Sequence, residues 1–128
     1  MTTARKQPQD RKPKQEKPAA VETTGKFRLS PDYELREVEG WQVEVEGIEI
    51  FLPKESLTDN RSSRIMAKAQ AGDKKAAAQY GLVIERMLGE EQYDKVQDAL
   101  EDPATGRVSD EQVGDFLAAM MKAINPNG

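Results

Sequence analysis

The stretch Asp73 to Leu88, DKKAAAQYGLVIERML, has the pattern of a helix that must pack against other parts of the chain. Its apolar residues recur at i, i+3, i+4 and i+7, which places them on one side of a helix. Asp73 precedes the first turn as an N-cap, and Gly89 stands where a helix usually ends. Because that side is too apolar for water, neighbouring segments are expected to cover it.

The same periodicity predicts three further helices, one that follows a turn within residues 54–71 and two over residues 90–100 and 110–124. Asp59 or Asn60 is expected to cap the first of them. The last helix has the clearest start, because Ser109 and Gln112 have the spacing of a capping box. Its expected buried side contains Val113, Phe116, Leu117, Met120 and Ile124.

Residues Trp41 to Leu52, WQVEVEGIEIFL, alternate as strands do and predict a β-hairpin. A two-residue turn at Glu46–Gly47 places six apolar residues on one face, pairing Val45 with Ile48, Val43 with Ile50 and Trp41 with Leu52. Pro53 is expected to end the second strand. An isolated hairpin is only marginally stable in water, so the helices are expected to cover this face.

The N-terminal segment predicts disorder, because Pro8, Pro13 and Pro18 break helices and few apolar residues are present to offset the ordering entropy. The expected fold is therefore mainly α: a small domain of about four helices with an N-terminal β-hairpin and a disordered basic arm. The expected boundary places the arm at residues 1–26 and the domain at residues 27–128. Residues 27–40 stay open between a short helix starting at Ser30–Pro31 and strand-like alternation.

Charge is unevenly distributed along the chain. Residues 1–28 hold eight Lys/Arg and three Asp/Glu, a net of +5, and the remainder holds eleven and twenty, a net of −9. The arm could contact a polyanion through Arg5, Lys6, Arg11, Lys12, Lys14 and Lys17. A solvated tail is the simpler interpretation, and the arm has no aromatic residue before Phe27 to stack on bases. Nucleic acid is therefore not the expected partner.

Composition argues against an enzyme. The chain has no Cys and no His, which excludes disulfides, a Cys nucleophile, a His base and Cys/His metal sites. The loop after Glu101 resembles a calcium loop only loosely, since Pro103 and Gln112 occupy positions that need oxygen ligands and a bidentate carboxylate. No cofactor or metal is expected. The sequence also shows no signal peptide and no apolar run of about 18 residues that could span a membrane.

The C-terminal half carries a family resemblance. The runs GLVIERMLGEEQYDKVQDAL and VSDEQVGDFLAAMMKAI, separated by a polar loop, resemble tail assembly chaperones of long-tailed phages, especially phages of actinobacterial hosts. Its motifs are LGEEQY at Leu88–Tyr93, the acidic start of the last helix and the strand pair from Gly47 to Pro53. The resemblance spans roughly residues 41–124 and leaves out the basic arm.

The resemblance implies a non-enzymatic protein that binds the tape measure protein, keeps it soluble and helps recruit tail tube subunits in the host cytoplasm. It also implies a frameshifted longer form, with this chain as the shorter one, and absence from the finished virion. Such a chaperone needs adaptable apolar contacts, for which Met87, Met120 and Met121 are the candidates. Met87 and Met120 fit ordinary core positions as well, whereas Met121 lies beside the apolar stripe. Self-association, a structural virion or head–tail protein, and a nucleic-acid accessory protein acting through the arm stay open.

Overall fold

The structure, a computed structural model, describes residues 20–125 of the chain. In these residues a three-stranded antiparallel sheet is followed by a 3-10 turn and five α-helices. The strands are β1 (Ala20–Phe27), β2 (Arg36–Val45) and β3 (Ile48–Pro53), and the 3-10 turn is Lys54–Thr58. The helices are α1 (Asn60–Gln70), α2 (Lys74–Ala77), α3 (Tyr80–Leu88), α4 (Glu90–Leu100) and α5 (Asp110–Ile124).

The predicted hairpin is confirmed as β2 and β3. Its register is the expected one, with pairs Val45–Ile48, Val43–Ile50 and Trp41–Leu52. The turn residues Glu46 and Gly47 have φ of 52° and 80°, as a type I′ turn requires at both central positions. The side chains of this face are buried or half-buried, so the alternation identified the core face of the sheet.

The sheet has a third strand that the sequence did not predict. Residues 20–26, assigned above to the disordered arm, belong to β1, which pairs along β2 from Ala20–Val43 to Phe27–Arg36. Most β1 side chains are exposed, and Phe27 alone is buried, at 6% exposure. The strand is therefore held mainly by backbone hydrogen bonds to β2, which a count of apolar residues does not register. The rest of the predicted arm lies outside the described residues.

The open segment 27–40 contains a turn and not a helix. Tyr33 donates its backbone N–H to the Ser30 carbonyl at 3.0 Å, and Pro31 occupies the second turn position, which its fixed φ favours. The chain then enters β2 at Arg36. Of the four residues whose alternation suggested a strand, Phe27 lies in β1, and Leu29, Tyr33 and Leu35 lie in the connection between β1 and β2.

The helix predicted after a turn within residues 54–71 is confirmed as α1. Residues 54–58 form the 3-10 turn, and α1 starts at Asn60 after Asp59, whose carboxylate accepts from the Ser62 backbone N–H at 3.0 Å. Asp59 was one of the two predicted caps. Ser56, in the preceding turn, is buried and donates its hydroxyl to the Met87 carbonyl at 2.6 Å, which ties the turn to the end of α3.

The helix predicted over Asp73–Leu88 is divided into α2 and α3. Asp73 caps α2 and Gly89 ends α3, as expected. At the break, Gln79 donates its N–H to the Ala76 carbonyl at 2.9 Å, three residues back instead of four. The tightened turn buries Ala76 in a segment that packs on α1. Neither residue 78 nor residue 79 is a helix breaker, so nothing in the sequence indicated the break.

The last two helices follow the prediction. In α5, the Ser109 hydroxyl accepts from the Gln112 backbone N–H at 3.0 Å, and the Gln112 side chain accepts from the Ser109 N–H at 2.9 Å, which completes the capping box. The preceding loop closes on itself, because Gly106 donates to the Asp102 carbonyl at 2.7 Å. Among residues 20–125, no cluster of three or more Asp or Glu side chains is arranged to hold a metal ion.

One apolar core joins the sheet to the helices. Helix α3 contacts β3, α4 and α5, and α5 contacts β2. The most deeply buried large side chains come from these elements: Val43, Leu52, Val83, Ile84, Met87, Leu88, Val96, Phe116 and Met120. The coarse expectation, a helical domain with an antiparallel sheet near its N-terminus, is confirmed, with one strand more and one helix divided.

Candidate partner-binding surfaces

Helices α3 and α4 meet at a sharp corner, residues 88–93, called the α3–α4 corner below. Gly89 has φ 87° and ψ 156°, a backbone region essentially restricted to glycine. A Cβ on Gly89 would lie 2.6 Å from the Arg28 carbonyl oxygen. Glu90 donates its backbone N–H to the Leu29 carbonyl at 2.8 Å, which satisfies one N–H of the first turn of α4. Glycine is required here by its conformation and by the close approach of the Arg28–Leu29 segment.

Gln92 joins the α3–α4 corner to the edge of the sheet. Its side-chain oxygen accepts from the Phe51 backbone N–H at 2.8 Å, and its side-chain nitrogen donates to the Phe51 carbonyl at 2.7 Å and the Leu88 carbonyl at 2.8 Å. Since β3 is an edge strand, one amide side chain takes the place of a neighbouring strand at Phe51. The Phe51 ring in turn lies against Gly25 and Gly40, where an added Cβ would come within 2.9 Å of it.

Tyr93 completes the α3–α4 corner. Its hydroxyl lies directly against Gly81 of α3, where an added side chain would overlap it. Burial raises the pKa of the Tyr93 hydroxyl above its ordinary value. The corner is thus a structural joint that leaves few polar groups available to a ligand.

Asp59 and Arg86 form a two-point ion pair between the start of α1 and the end of α3. Arg86 Nε and one terminal nitrogen donate to the two Asp59 oxygens, each at 2.9 Å, and both side chains are 24% exposed. The hydrogen bond from Arg86, followed by those from Ser62, lowers the pKa of the Asp59 carboxyl far below its usual range, against the opposing effect of burial. The same carboxylate therefore caps α1 and neutralises Arg86.

A cleft of about 440 Å³ lies on one side of this pair, under the turn that carries Tyr33. Three arginines line it, Arg28, Arg36 and Arg86, and each is paired with a carboxylate. Its lining carboxylates are likewise three, Glu34, Glu55 and Asp59. The charges of the cleft are therefore balanced, and it offers no net attraction to an ion of either sign.

The other side of the Asp59–Arg86 pair faces a groove between α1 and α3, called the basic groove below. Its volume is about 460 Å³ and it is lined by Arg61, Arg64, Ile65, Lys68, Gln79, Leu82 and Arg86. No carboxylate lines it. It combines an apolar base with uncompensated positive charge, which neither the cleft nor the α3–α4 corner does.

The structure places two of the three candidate methionines in the core, which is the alternative that the sequence left open for them. Met87 is 1% exposed and Met120 is 0% exposed, and both belong to the core cluster. Their place on the apolar stripes of α3 and α5 turns them inward, so neither can touch a partner in this fold. Met121 is half-buried against the edge of the core and remains a candidate contact.

The six cations predicted to contact a polyanion, at positions 5, 6, 11, 12, 14 and 17, lie outside the described residues.

The basic groove was not predicted from the sequence. A signal for it was present, because Arg61, Arg64, Ile65 and Lys68 recur at helical spacing on α1, a helix without Asp or Glu. The bonds of Gln92 had no such signal, since its partner Phe51 is 41 residues away.

Comparison with protein-family models, with curated proteins and with solved structures finds no match for this chain. Within residues 20–125, no helix combines the length and the apolar character needed to cross a membrane.

Proposed function

We propose that the chain is a tail assembly chaperone of a long-tailed phage, a non-enzymatic protein that binds the tape measure protein and keeps it soluble in the host cytoplasm. On this proposal a frameshifted longer form shares the same fold and helps recruit tail tube subunits. Neither form remains in the finished virion.

The observation that carries the proposal is the α3–α4 corner. Two of the separate segments that carry the resemblance are LGEEQY at residues 88–93 and the strand pair around residues 47–53. These segments meet in space, because Gln92 of the first binds both backbone groups of Phe51 in the second. Gly89 occupies a place that no side chain would fit, and the Tyr93 hydroxyl lies against Gly81, where an added Cβ would overlap it. A short motif whose residues are required by the joint between sheet and helices is less readily explained by chance similarity.

A binding role also fits the distribution of polar and charged groups. Residues 90–115 hold nine Asp/Glu and two Lys/Arg, a net of −7, over α4 and the start of α5. This surface would attract basic segments of a long partner, with a dependence on salt. Met121 lies on the same helix as the acidic start of α5. Several copies bound along one tape measure chain would then hold by avidity.

Co-expression with the tape measure protein of the same phage tests the proposal. This chain should raise the soluble fraction of the tape measure protein and co-purify with it at more than one copy per chain. Met121→Asp should reduce co-purification, because it places a charge at a half-buried candidate contact. Ala118→Asp, at an exposed site on the same helix, is the control and should leave co-purification unchanged. If the tape measure protein stays equally insoluble with and without this chain, the proposal is wrong.

Purified virions separate the chaperone from a small structural virion or head–tail protein. A chaperone leaves the finished particle, so quantitative mass spectrometry of virions should detect the tail tube protein and no stoichiometric amount of this chain. A fixed copy number in the particle would favour the structural role instead.

A further inference from the structure

The basic groove has an apolar base and a cationic rim. Ile65 of α1 is half-buried and Leu82 of α3 is 44% exposed, so both present apolar surface to the groove. Arg61, Arg64 and Lys68 follow one another along the exposed side of α1 at i, i+3 and i+7. This order places a row of positive charge beside a strip of apolar surface. From Arg61 to Lys68 the row is about 10 Å long at 1.5 Å per residue, which is most of the length of α1.

The rim cations lack compensation within the part of the chain that the structure describes. No carboxylate among residues 20–125 lies within ion-pair distance of Arg61, Arg64 or Lys68, whereas Arg86 at the end of the groove is already paired with Asp59. The described residues hold 13 Lys/Arg and 21 Asp/Glu, a net of −8. Positive charge collected at one groove of an otherwise acidic domain is a local feature that overall charge does not explain.

We propose that the basic groove binds an amphipathic helix with acidic flanks. The apolar stripe of such a helix would contact Ile65 and Leu82, and Asp or Glu side chains beside the stripe would pair with Arg61, Arg64 and Lys68. A helix seated in a groove is read through anchors at i, i+3, i+4 and i+7. The rim cations share this spacing, and charge complementarity would set the orientation of the bound helix and speed its association.

Nucleic acid fits the groove less well. Phosphate contacts would use the rim cations but leave the apolar surface of Leu82 unpaired, and no aromatic side chain lines the groove for bases to stack on. The net negative charge of the rest of the domain would also repel a polyanion.

A second copy of the chain fits less well too. Its acidic helix α4 would supply the carboxylates Asp94 and Asp98, both exposed. The exposed large apolar residues of the described chain are Val21, Tyr33, Leu35, Leu57 and Leu82, however, and none of them lies on α4. That helix could neutralise the rim of the groove and leave its apolar base uncovered.

Fluorescence anisotropy with labelled synthetic peptides and the full chain tests the groove directly. The probe is a peptide of about 14 residues, roughly four helical turns, with Leu at i, i+3, i+4 and i+7 and Glu beside this stripe. One comparison peptide carries Lys in place of every Glu, and another has the same composition in an order that scatters the Leu residues around the helix. The acidic amphipathic peptide should bind at least about tenfold more tightly than either, and its affinity should fall as salt rises.

Two variants place the binding in the groove. Arg64→Glu and Leu82→Asp change exposed residues, so the fold should survive. Each should lower the affinity for the acidic peptide by about tenfold or more. Lys95→Glu, an equal charge change at an exposed site on α4, should leave binding unchanged. Far-ultraviolet circular dichroism of each variant checks that the helices remain.

Several results would overturn the proposal. These are absence of binding by the acidic peptide, equal binding of the scattered or basic peptide, and equal loss of binding in Lys95→Glu. A single-stranded oligonucleotide provides a further test. If it displaces the acidic peptide from the native chain and does not bind the Arg64→Glu variant, the groove is a site for polyanions. If sedimentation shows self-association that Arg64→Glu abolishes, a second copy of the chain covers the groove.

The groove and Met121 lie on different helices, so failure of the peptide test leaves the tape measure test intact, and the reverse also holds.

Discussion

The α3–α4 corner lies at the end of α3, whereas the basic groove runs along the same helix from Gln79 to Arg86. At the corner, Gly89 is fixed by its backbone angles and Gln92 makes three hydrogen bonds to main-chain groups. At the groove, Leu82 is exposed and Arg64 has no carboxylate near it among the described residues. The comparison shows that residues with satisfied partners account for the fold, while the residues available for binding are those that the fold leaves without partners.

The largest difference between the two regions is expected from matched leucines of α3. Leu88, at the corner, is 1% exposed, and Leu82, in the groove, is 44% exposed. Leu88→Ala should lower the free energy of unfolding by about 2–5 kcal/mol, because it removes buried surface and leaves a cavity. Leu82→Ala should change it by less than about 0.5 kcal/mol. Urea unfolding followed by the emission of Trp41, the single tryptophan, measures both.

Equal effects of the two leucine substitutions would remove the distinction between a structural corner and an available groove. A large effect of Leu82→Ala alone would show that the groove is covered by the chain itself in solution, which would also exclude it as a docking surface.

The next effect concerns the backbone of the corner. Gly89→Ala should destabilise the domain by about 3 kcal/mol or more, since the glycine-only conformation alone costs of order 1–3 kcal/mol and the new methyl group overlaps the Arg28 carbonyl. Gly72→Ala is the matched control. Gly72 also has a positive φ, 100°, but an added Cβ would meet no atom within 4 Å, so its cost should stay near 1–2 kcal/mol. A smaller loss for Gly89→Ala than for the control would contradict the close approach of the Arg28–Leu29 segment.

Local patterns predicted much of this fold because their physical causes are local. The register around Glu46–Gly47 follows from alternation with a period of two, and the start of α5 follows from the capping box at Ser109 and Gln112. Strand β1 escaped prediction because its stabilising bonds run to β2 through the backbone. The break at Gln79 escaped because neither Ala78 nor Gln79 is a helix breaker.

The candidate surfaces were harder to predict than the fold. Periodicity identified Met87 and Met120 as members of apolar stripes, and the structure shows that this is all they are. The row of cations on α1 was visible, but its meaning depended on Leu82, which reaches the same groove from α3. A sequence pattern shows which side of a helix is apolar, but not which apolar residues remain uncovered after packing.

A smaller effect is expected from Gln92, whose amide joins the α3–α4 corner to the edge of the sheet. Gln92→Leu keeps a side chain of similar size and removes its three hydrogen bonds, so it should cost about 1–3 kcal/mol. Hydrogen exchange at the Phe51 N–H should accelerate in the same variant, because that donor loses its partner. Gln70→Leu, at an exposed position of α1, should alter neither quantity. Unchanged exchange at Phe51 would mean that another group covers the edge of β3.

The smallest effect is expected at the Asp59–Arg86 ion pair, whose arginine lines the basic groove. Asp59→Asn keeps the N-cap of α1, because Asn caps helices as well as Asp does. It removes the charge that Arg86 binds, together with one of the two oxygens that accept from Arg86. With both side chains 24% exposed, the loss at neutral pH should be about 1 kcal/mol.

The pH dependence of that loss identifies its cause. Arg86 lowers the pKa of Asp59 in the folded protein, so the stabilisation is complete above the unfolded value of about 3.9 and is lost as pH falls through the folded value. The difference in unfolding free energy between the native chain and Asp59→Asn should therefore be constant from about pH 5 to 7 and shrink below about pH 4. Measuring this difference cancels the titration of the other carboxylates. A difference that persists undiminished at low pH would mean that the charge of Asp59 is not the source of the stabilisation, and Arg86 would then count among the cations of the groove that are available to an acidic helix.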